Sequence, residues 1–408
     1  MDVSGHRLLQ NIFRSYTDVL AQSRLPSSQR KAIESIVACR SGQLGTSYYY
    51  CEEGHSVHEQ HHSCRHRSCS VCARNSKRVW IEEQKSRLLN CPHFHMVFTV
   101  PSEYRVLWQF NKAWFAQTLF FCVQETVLSL MKDKKHHGVT PGLILALHTW
   151  GRQLNLHPHI HAVVTAGGLD ANNCWQDSGN YLLPINVIKA LYRGKLQGLL
   201  KEAFEAGEIQ LPESMSREQF YRLHRDLYKK PWSVRVEEQY AHGKGVVVYL
   251  SRYMKGGPLN PAQISRCDDE GISFIYKDHR DQQHKSLTLK PLEFIRRLLM
   301  HVPEPGIHTV RHYGLYGSAA RDKRNLCRAQ MGDLMSVEKQ PASQSKGMVE
   351  FLCRTCSRVL ALRLRRYPDR RRKGNSLIEE SVPRVVQQRV ETDHANALRK
   401  QDMCYVFG

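Results

Sequence analysis

The chain has 408 residues, with 59 lysines and arginines against 38 aspartates and glutamates, so its formal net charge is +21 at pH 7. A surplus of this size favours a polyanionic partner, because cations that neutralise phosphates release condensed counterions. No apolar run is long enough to cross a bilayer, and no basic amphipathic helix with a strong apolar face is evident, so we expect nucleic acid rather than membrane as the partner.

The cysteine content predicts metal binding. The chain contains 13 cysteines. Residues 1–6 do not form a basic and then apolar signal segment, and we therefore expect a cytoplasmic protein. In a reducing compartment cysteines are more often metal ligands or reduced core thiols than disulfides.

The N-terminal part of the chain divides into two segments. Apolar residues at helical spacing over residues 7–24, and again as far as Val37, predict an N-terminal helical segment at 1–45. Residues 46–90 are rich in cysteine, histidine and arginine. We predict that this second segment is a zinc-binding module that contacts DNA.

The middle of the chain predicts an α+β domain at residues 91–320. Alternating apolar residues at 94–100 indicate a half-buried strand. Residues 143–147 and 159–165 indicate two more strands that face each other across a turn, which predicts an antiparallel sheet. A charged helical insertion is expected at about 185–230.

The remainder of the chain, residues 321–408, is basic and irregular, and we predict a C-terminal tail. Its basic run at 363–373 could contact DNA without sequence preference or keep the tail soluble. Cys353 and Cys356 form a Cys-x2-Cys pair, but the tail holds no second pair that would complete a zinc site.

Zinc is predicted from two short-spaced groups of ligands, Cys51-x3-His55 and Cys64-x4-Cys69-x2-Cys72. Tetrahedral zinc is typically held by two such pairs, each on a tight turn. Cys51 and His55 with Cys69 and Cys72 make one complete set, and Cys64 is the alternate ligand.

Arginines surround the predicted zinc module. We expect these side chains to contact a phosphate backbone, although a solvated basic face is the simpler alternative. The candidates are Arg65, Arg67 and Arg74.

The run from His157 to His161 predicts a second metal site. Alternate side chains of a strand share a face, so His157, His159 and His161 should project together while the intervening residues face a core. Two neutral imidazoles so placed can hold a divalent cation. His148, on the preceding strand, is the candidate third ligand, and His157 and Asn155 are the competitors.

His93 and His95 form another His-x-His pair on the strand at 94–100. No helix with a nucleophile is linked to this pair by an equally clear pattern. We therefore predict that His93 and His95 flank the metal site rather than form it.

Tyr249 and Tyr253 are four residues apart, which would place both phenols on one face of a helix. Such pairs are ordinarily core residues. A phenol can, however, attack phosphorus and remain as a phosphotyrosine, if a metal ion polarises the phosphate. Arg252 and Lys255 could then offset charge in the transition state, although simple solvent exposure is an equal alternative.

A His-x-His strand followed by paired tyrosines resembles the HUH endonuclease superfamily. Finer similarity is to IS91-type transposases, and it runs from about residue 7 to residue 320. Its segments are 62–69 (HSCRHRSC), 98–100 (FTV), 149–161 (TWGRQLNLHPHIH), 249–253 (YLSRY) and 294–303 (FIRRLLMHVP).

The resemblance implies an HUH-type central antiparallel sheet flanked by helices and preceded by a zinc knuckle. It makes His159 and His161 ligands of Mg²⁺ or Mn²⁺, and it makes Tyr249 and Tyr253 paired nucleophiles. Many relatives begin the knuckle with Cys-x2-Cys-Gly-His, whereas this chain has Cys51-Glu-Glu-Gly-His55, so His55 is the natural substitute ligand.

The function so implied is rolling-circle-type transposition, in which single strands at the transposon ends and the target DNA are cut and rejoined through 5′-phosphotyrosines. No phosphate-binding Gly-x4-Gly-Lys-Ser/Thr loop is present, so a helicase would come from the host. The alternatives are a plasmid replication initiator or relaxase of the same superfamily, and a zinc-dependent regulator that binds DNA without cutting it.

Overall fold

The computed structural model describes residues 4–241, 257–278, 280–332, 350–369 and 377–382. The chain divides into two units, the first made of Met1–Ile33 and His66–Gln340, the second of Glu34–Arg65 and Pro341–Gly408. Antiparallel sheets and helices occur together, which confirms the predicted α+β class. No helix among the described residues is long and apolar enough to span a membrane.

Helices occur where the apolar spacing predicted them. The predicted helical regions at 7–24 and 185–230 both contain helices. The described helices are α1 (Ser4–Ser15), α2 (Thr17–Gln22), α3 (Ser27–Ala38), α4 (Ser70–Arg87), α5 (Arg105–Phe110), α6 (Lys112–Lys132), α7 (Ile185–Glu205), α8 (Arg217–Lys229), α9 (Pro291–Met300) and α10 (Arg321–Gln330).

The described strands extend the predicted set at both ends of the chain. They are β1 (Thr46–Tyr50), β2 (Val57–His61), β3 (His93–Thr99), β4 (Thr140–Trp150), β5 (Leu156–Leu169), β6 (Trp175–Asp177), β7 (Val234–Tyr240), β8 (Ile264–Cys267), β9 (Ile272–Lys277), β10 (His284–Leu289), β11 (Val310–Gly314), β12 (Ala361–Pro368) and β13 (Leu377–Ser381).

The first unit is built on a six-stranded sheet in the order β11-β4-β5-β3-β7, with β6 paired to the end of β5. Every pairing in this sheet is antiparallel. The long strand β5 lies in the middle and is buried over nearly all its length. Side chains of β5 are therefore held on both sides by neighbouring strands.

The two faces of this sheet differ in chemistry. One face packs into the main apolar core with α5, α6 and α7, and it carries residues such as Phe98, Leu147 and Ile160. The other face carries histidines of β3, β4 and β5 among smaller apolar side chains such as Ala146 and Val163. The alternation predicted for the histidine strand is confirmed, because Ile160 and Ala162 belong to the core.

A tight hairpin joins β4 to β5. The N–H of Gly151 donates to the carbonyl oxygen of Asn155 at 2.8 Å, and Leu154 takes a φ of +59° inside the turn. His301, at the end of α9, approaches this turn: Nδ1 lies 3.1 Å from the hydroxyl of Thr149, and Nε2 lies 3.1 Å from the carbonyl oxygen of Leu154. The hairpin that sets the register of the two strands is thus fixed by a buried imidazole.

The second unit contains a four-stranded antiparallel sheet in the order β13-β12-β1-β2. The predicted boundaries had assigned β1 and β2 to the segment 46–90, and β12 and β13 to an irregular tail at 321–408. In the structure β12 pairs with β1, so these two segments share one sheet. The pairing of two strands some three hundred residues apart leaves no periodic pattern in the sequence. The arginines of β12 also obscure the alternation of apolar and polar residues that would mark it as a strand.

The arginines of β12 form ion pairs instead of a continuous exposed basic run. Arg363 lies 2.9 Å from Glu52, and Arg366 lies 2.6 Å from Glu379. These pairs are exposed and contribute little to stability, but they offset part of the positive charge predicted for DNA contact. Residues 370–373 of the predicted run lie outside the described residues.

Candidate active site and metal centres

Three histidines converge on one face of the central sheet. His148 on β4 lies directly opposite His159 on β5, and His161 follows two residues later on the same face. Nε2 of His159 lies 3.1 Å from Nε2 of His161, and one nitrogen of each of the three rings lies within 4.8 Å of the other two. The rings are 3, 8 and 6% exposed, respectively.

Hydrogen bonds orient two of these rings. Nδ1 of His159 lies 2.6 Å from the carbonyl oxygen of His157, which must accept, so Nδ1 carries the proton. Nδ1 of His161 lies 2.9 Å from Nε2 of His95 on β3. In both rings Nε2 is therefore directed at the shared position, as expected of metal-binding imidazoles whose other nitrogen is held by a second group.

The site favours uncharged imidazoles. Burial lowers the pKa of His159 to about 4, although the hydrogen bond to the carbonyl oxygen of His157 by itself raises this pKa. Burial, followed by the neighbouring imidazoles, also lowers the pKa of His161 well below its ordinary value. At neutral pH both rings are therefore neutral, which is the form that binds a metal ion.

The donor set fits a divalent cation. Two imidazole nitrogens bound side by side to an octahedral cation at about 2.1 Å would be about 3.0 Å apart, close to the 3.1 Å between Nε2 of His159 and Nε2 of His161. Nitrogen donors suit Mn²⁺ better than Mg²⁺. Of the two histidine candidates for the third position, His148 rather than His157 has its ring nitrogen grouped with those of His159 and His161.

Aromatic side chains enclose the site. The ring of Trp150 stacks on His148 with centroids 4.4 Å apart and planes 17° from parallel. His301 lies edge-on to Trp150 at 6.0 Å. His95 flanks the site, as the sequence analysis predicted, through its contact with His161, whereas His301 was not identified from the sequence. The His-x-His spacing of β3 was the available signal for His95.

Tyr249 and Tyr253, with Arg252 and Lys255, lie outside the described residues. The strand before them, β7, pairs with β3 in the same sheet that carries the histidines.

Cys51 and His55 have different neighbours from those the sequence suggested. In the second unit they lie with Cys353 and Cys356, and one ligand atom of each of the four residues lies within 4.8 Å of the others. The sequence pairing of Cys51 and His55 with Cys69 and Cys72 is thus replaced by a pairing with the C-terminal Cys-x2-Cys. That relation rests on the contact of β1 with β12, which no spacing in the sequence encodes.

The other predicted zinc ligands belong to different units, Cys69 and Cys72 to the first and Cys64 to the second. In the first unit Cys69 is the N-cap residue of α4, and Cys72 lies in the first turn of that helix. In the second unit the backbone N–H of Cys64 donates to Sγ of Cys39 at 3.5 Å. Each unit therefore presents a pair of neighbouring thiols.

The predicted DNA-binding arginines occupy different settings. Arg65 is exposed and has a φ of +55°. Arg67 donates from Nη1 to the carbonyl oxygen of Ile307 at 2.9 Å, so part of its guanidinium serves the fold. Arg74 lies within α4.

Comparisons with known proteins place these sites in a family. Residues 11–100 match a family model described as "Transposase zinc-binding domain", and residues 142–325 match one described as "Putative transposase". No solved structure matches the chain.

Two curated relatives are similar over most of their length. The chain is 30% identical over 350 residues to "Putative transposase y4qJ" of Sinorhizobium fredii, covering 84% of this chain and 87% of the relative. It is 27% identical over 321 residues to "Transposase for insertion sequence element IS801" of Pseudomonas savastanoi, covering 76% of each chain. The zinc-binding model matches ahead of the transposase model, and 30% sequence identity extends over most of this chain and of the first relative. These matches show that this protein belongs to the IS91-type transposases.

Proposed function

We propose that this protein is a DNA transposase that cuts and rejoins single strands at the ends of its element through 5′-phosphotyrosine intermediates. The observation that carries this proposal is the convergence of three buried histidines, His148, His159 and His161, inside the segment that matches the transposase model. Three imidazoles that converge from adjacent strands are a donor set that can hold a divalent cation.

The three histidines would hold Mg²⁺ or Mn²⁺, which when bound polarises the scissile phosphate and stabilises the developing negative charge. The protein's contribution is to present neutral nitrogens from adjacent strands and to keep the rings from turning. His95 and the carbonyl of His157 do so through the Nδ1 atoms of the two β5 ligands. The stacked Trp150 shields the third ligand from water.

Tyr249 and Tyr253 are the proposed nucleophiles. The phenol oxygen of one tyrosine forms a bond to phosphorus as the bond from phosphorus to the 3′ oxygen breaks, with net transfer of the phenolic proton to that oxygen. The products are a 5′-phosphotyrosine and a free 3′-OH. Attack by a 3′-OH on the phosphotyrosine reverses the step and joins strands, and a second tyrosine allows two such linkages at once.

The length of the connecting segment supports this assignment. Tyr249 follows Tyr240, the last residue of β7, by 9 residues (249 − 240), and such a segment spans up to about 30 Å. On β3, His93 lies opposite Tyr240 and Val97 lies opposite His161, a separation of four residues or about 13 Å along the strand. The chain is therefore long enough to bring a tyrosine back to the histidines.

The proposal also assigns the predicted zinc ligands and the predicted DNA-binding residues. Cys64, Cys69 and Cys72 have the residue type and the sequence spacing of structural zinc ligands and lie within the range that matches the zinc-binding family model. DNA contact is assigned to five cations near the predicted zinc and catalytic segments: Arg65, Arg67, Arg74, Arg252 and Lys255. The substrates would be single-stranded transposon ends and target DNA, with strand separation supplied by a host helicase.

The experiment is incubation of the purified protein with single-stranded oligonucleotides from both ends of the element and Mn²⁺. We expect a protein–DNA adduct that survives SDS. The adduct should disappear in Y249F/Y253F, while the matched control Y181F, at an exposed tyrosine (58% exposed), should retain it. An adduct that persists in the double variant would exclude these tyrosines as nucleophiles.

The same assay separates the rival functions. A regulator that binds DNA without cutting it would form no adduct, yet its DNA binding would be unchanged in Y249F/Y253F. A replication initiator or relaxase would form the adduct, but with an origin sequence rather than with the element's ends. The similarity to transposases over most of the chain favours the element's ends.

A further inference from the structure

The second unit brings together four ligand groups that lie in two distant parts of the sequence. Sγ of Cys51 lies 3.6 Å from Sγ of Cys356 and 3.8 Å from Nδ1 of His55. Cys353 completes the group, and all four ligand atoms are mutually within 4.8 Å. Cys51 and Cys353 are buried, at 5 and 1% exposure.

These separations match a tetrahedral metal site. With zinc–sulfur bonds of about 2.3 Å, two thiolates on one tetrahedral zinc are about 3.8 Å apart. A disulfide would instead need sulfurs about 2.05 Å apart. The observed distance of 3.6 Å between Cys51 and Cys356 therefore agrees with two sulfurs on one zinc ion.

Each pair of ligands sits on a tight turn. After β1, the N–H of Cys51 donates to the carbonyl oxygen of Ser56 at 2.9 Å, and the N–H of Gly54 donates to the carbonyl oxygen of Cys51 at 3.0 Å. Gly54 has a φ of +75°, a conformation that favours glycine.

The C-terminal pair repeats this arrangement. The N–H of Cys353 donates to the carbonyl oxygen of Arg358, and the N–H of Ser357 donates to the carbonyl oxygen of Cys353, both at 2.8 Å. Ser357 adopts a φ of +58°. Two turns that each present two donors to one point are the usual construction of a structural zinc site.

A neighbouring side chain orients one of the ligand sulfurs. The hydroxyl of Ser56 donates to Sγ of Cys353 at 3.3 Å. Such a second group commonly holds a metal ligand in position.

We propose that Cys51, His55, Cys353 and Cys356 bind a structural zinc ion, separate from the ion proposed for Cys64, Cys69 and Cys72. The ion would hold the turn between β1 and β2 to the segment that leads into β12. The apolar cluster beside it is small, with Leu360 as its buried aliphatic member. A small core of this kind is commonly stabilised by a metal ion, so the pairing of β12 with β1 should depend on zinc.

The test is the zinc content of the full-length protein, measured by inductively coupled plasma mass spectrometry. We expect C353S/C356S to carry one zinc ion fewer per chain than the wild type. The control C174S/C267S removes two exposed cysteines outside the cluster and should keep the full content. Equal zinc in C353S/C356S and in the wild type would overturn the proposal.

A second pair of variants guards against general misfolding. H55C keeps a zinc ligand and should retain the ion, whereas H55A should lose it. In H55A, trypsin should cleave within residues 350–382 faster than in H55C, while the rest of the chain is cleaved at an unchanged rate. Loss of zinc from both variants, or from neither, would also overturn the assignment. None of these measurements depends on DNA cleavage, so they remain informative if the proposed function fails.

Discussion

Nε2 of His95 lies 2.9 Å from Nδ1 of His161, and the two rings stack within 9° of parallel at 5.1 Å between centroids. His95 is buried on β3, whereas His161 is on β5, so the contact crosses between strands. If His161 binds a metal ion through Nε2, its Nδ1 carries the proton and donates to His95. His95 is then a positioning residue for the proposed ligand.

Substitution of His95 should weaken metal binding without abolishing it. We expect H95A to raise the Mn²⁺ concentration that gives half-maximal adduct formation by about 10- to 100-fold, with a smaller change in the rate at saturating Mn²⁺. H95Q retains a carbonyl acceptor and should recover part of the loss. H284Q, at an exposed histidine on β10, is the control. An unchanged Mn²⁺ requirement in H95A would show that the contact is only structural.

The contrast between His159 and His95 shows what the sequence could predict. The alternation of β5 is local, so the sequence alone placed His159 and His161 on one face and Ile160 on the other. The partnership of His95 with His161 depends on the register of β3 against β5, where Val97 rather than His95 lies opposite His161. Such a diagonal contact has no signature along the chain.

Cys353 illustrates the same limit over a longer distance. Its Cys-x2-Cys spacing was visible, but its partners Cys51 and His55 lie some three hundred residues earlier. Because the sheet pairing between β1 and β12 brings them together, the nearer cysteines Cys69 and Cys72 were the more reasonable choice from spacing alone. Long-range antiparallel pairing, not local composition, decides which of these residues lie together.

The third catalytic ligand can be tested against its competitor. We expect H148A to raise the Mn²⁺ requirement for adduct formation at least tenfold, because it removes one of three converging nitrogens. H157A should have little effect, since the contact of His157 with His159 is made by its backbone carbonyl oxygen, which the substitution keeps. Calorimetric Mn²⁺ titration would check both variants without DNA. The opposite order of effects would transfer the ligand role to His157.

Two glycines should respond oppositely to alanine. Gly314, at the end of β11, has a φ of +56°, and an added Cβ would collide with the carbonyl oxygen of Pro141. G314A should lower the free energy of unfolding by about 1–3 kcal/mol. Gly194 lies exposed in α7 with open space around its Cα, so G194A should raise the free energy of unfolding by about 0.5–1 kcal/mol. Urea denaturation measures both, and a neutral G314A would contradict the backbone geometry.

His93 should make the protein sensitive to acid. Its Nδ1 lies 2.8 Å from the carbonyl oxygen of Cys91, and its Nε2 lies 2.6 Å from the hydroxyl of Tyr316, so the ring donates to the first and accepts from the second. Burial lowers the pKa of His93 to about 4, from an ordinary value of 6.5. The folded state therefore keeps this ring uncharged in a range where the unfolded chain protonates it.

Between pH 6.5 and about 4 the unfolded state thus binds the additional proton, and the free energy of unfolding falls as the pH is lowered. The stability that depends on a neutral His93 is fully present above pH 6.5 and is lost towards pH 4. At pH 4.5 this loss lowers the free energy of unfolding by roughly 3 kcal/mol. Urea denaturation at pH 7 and pH 4.5 should show a smaller pH dependence in H93Q than in the wild type by about this amount. H284Q, at an exposed histidine on β10, is the control and should match the wild type. Equal pH dependence in H93Q and the wild type would mean that His93 is protonated in the folded protein.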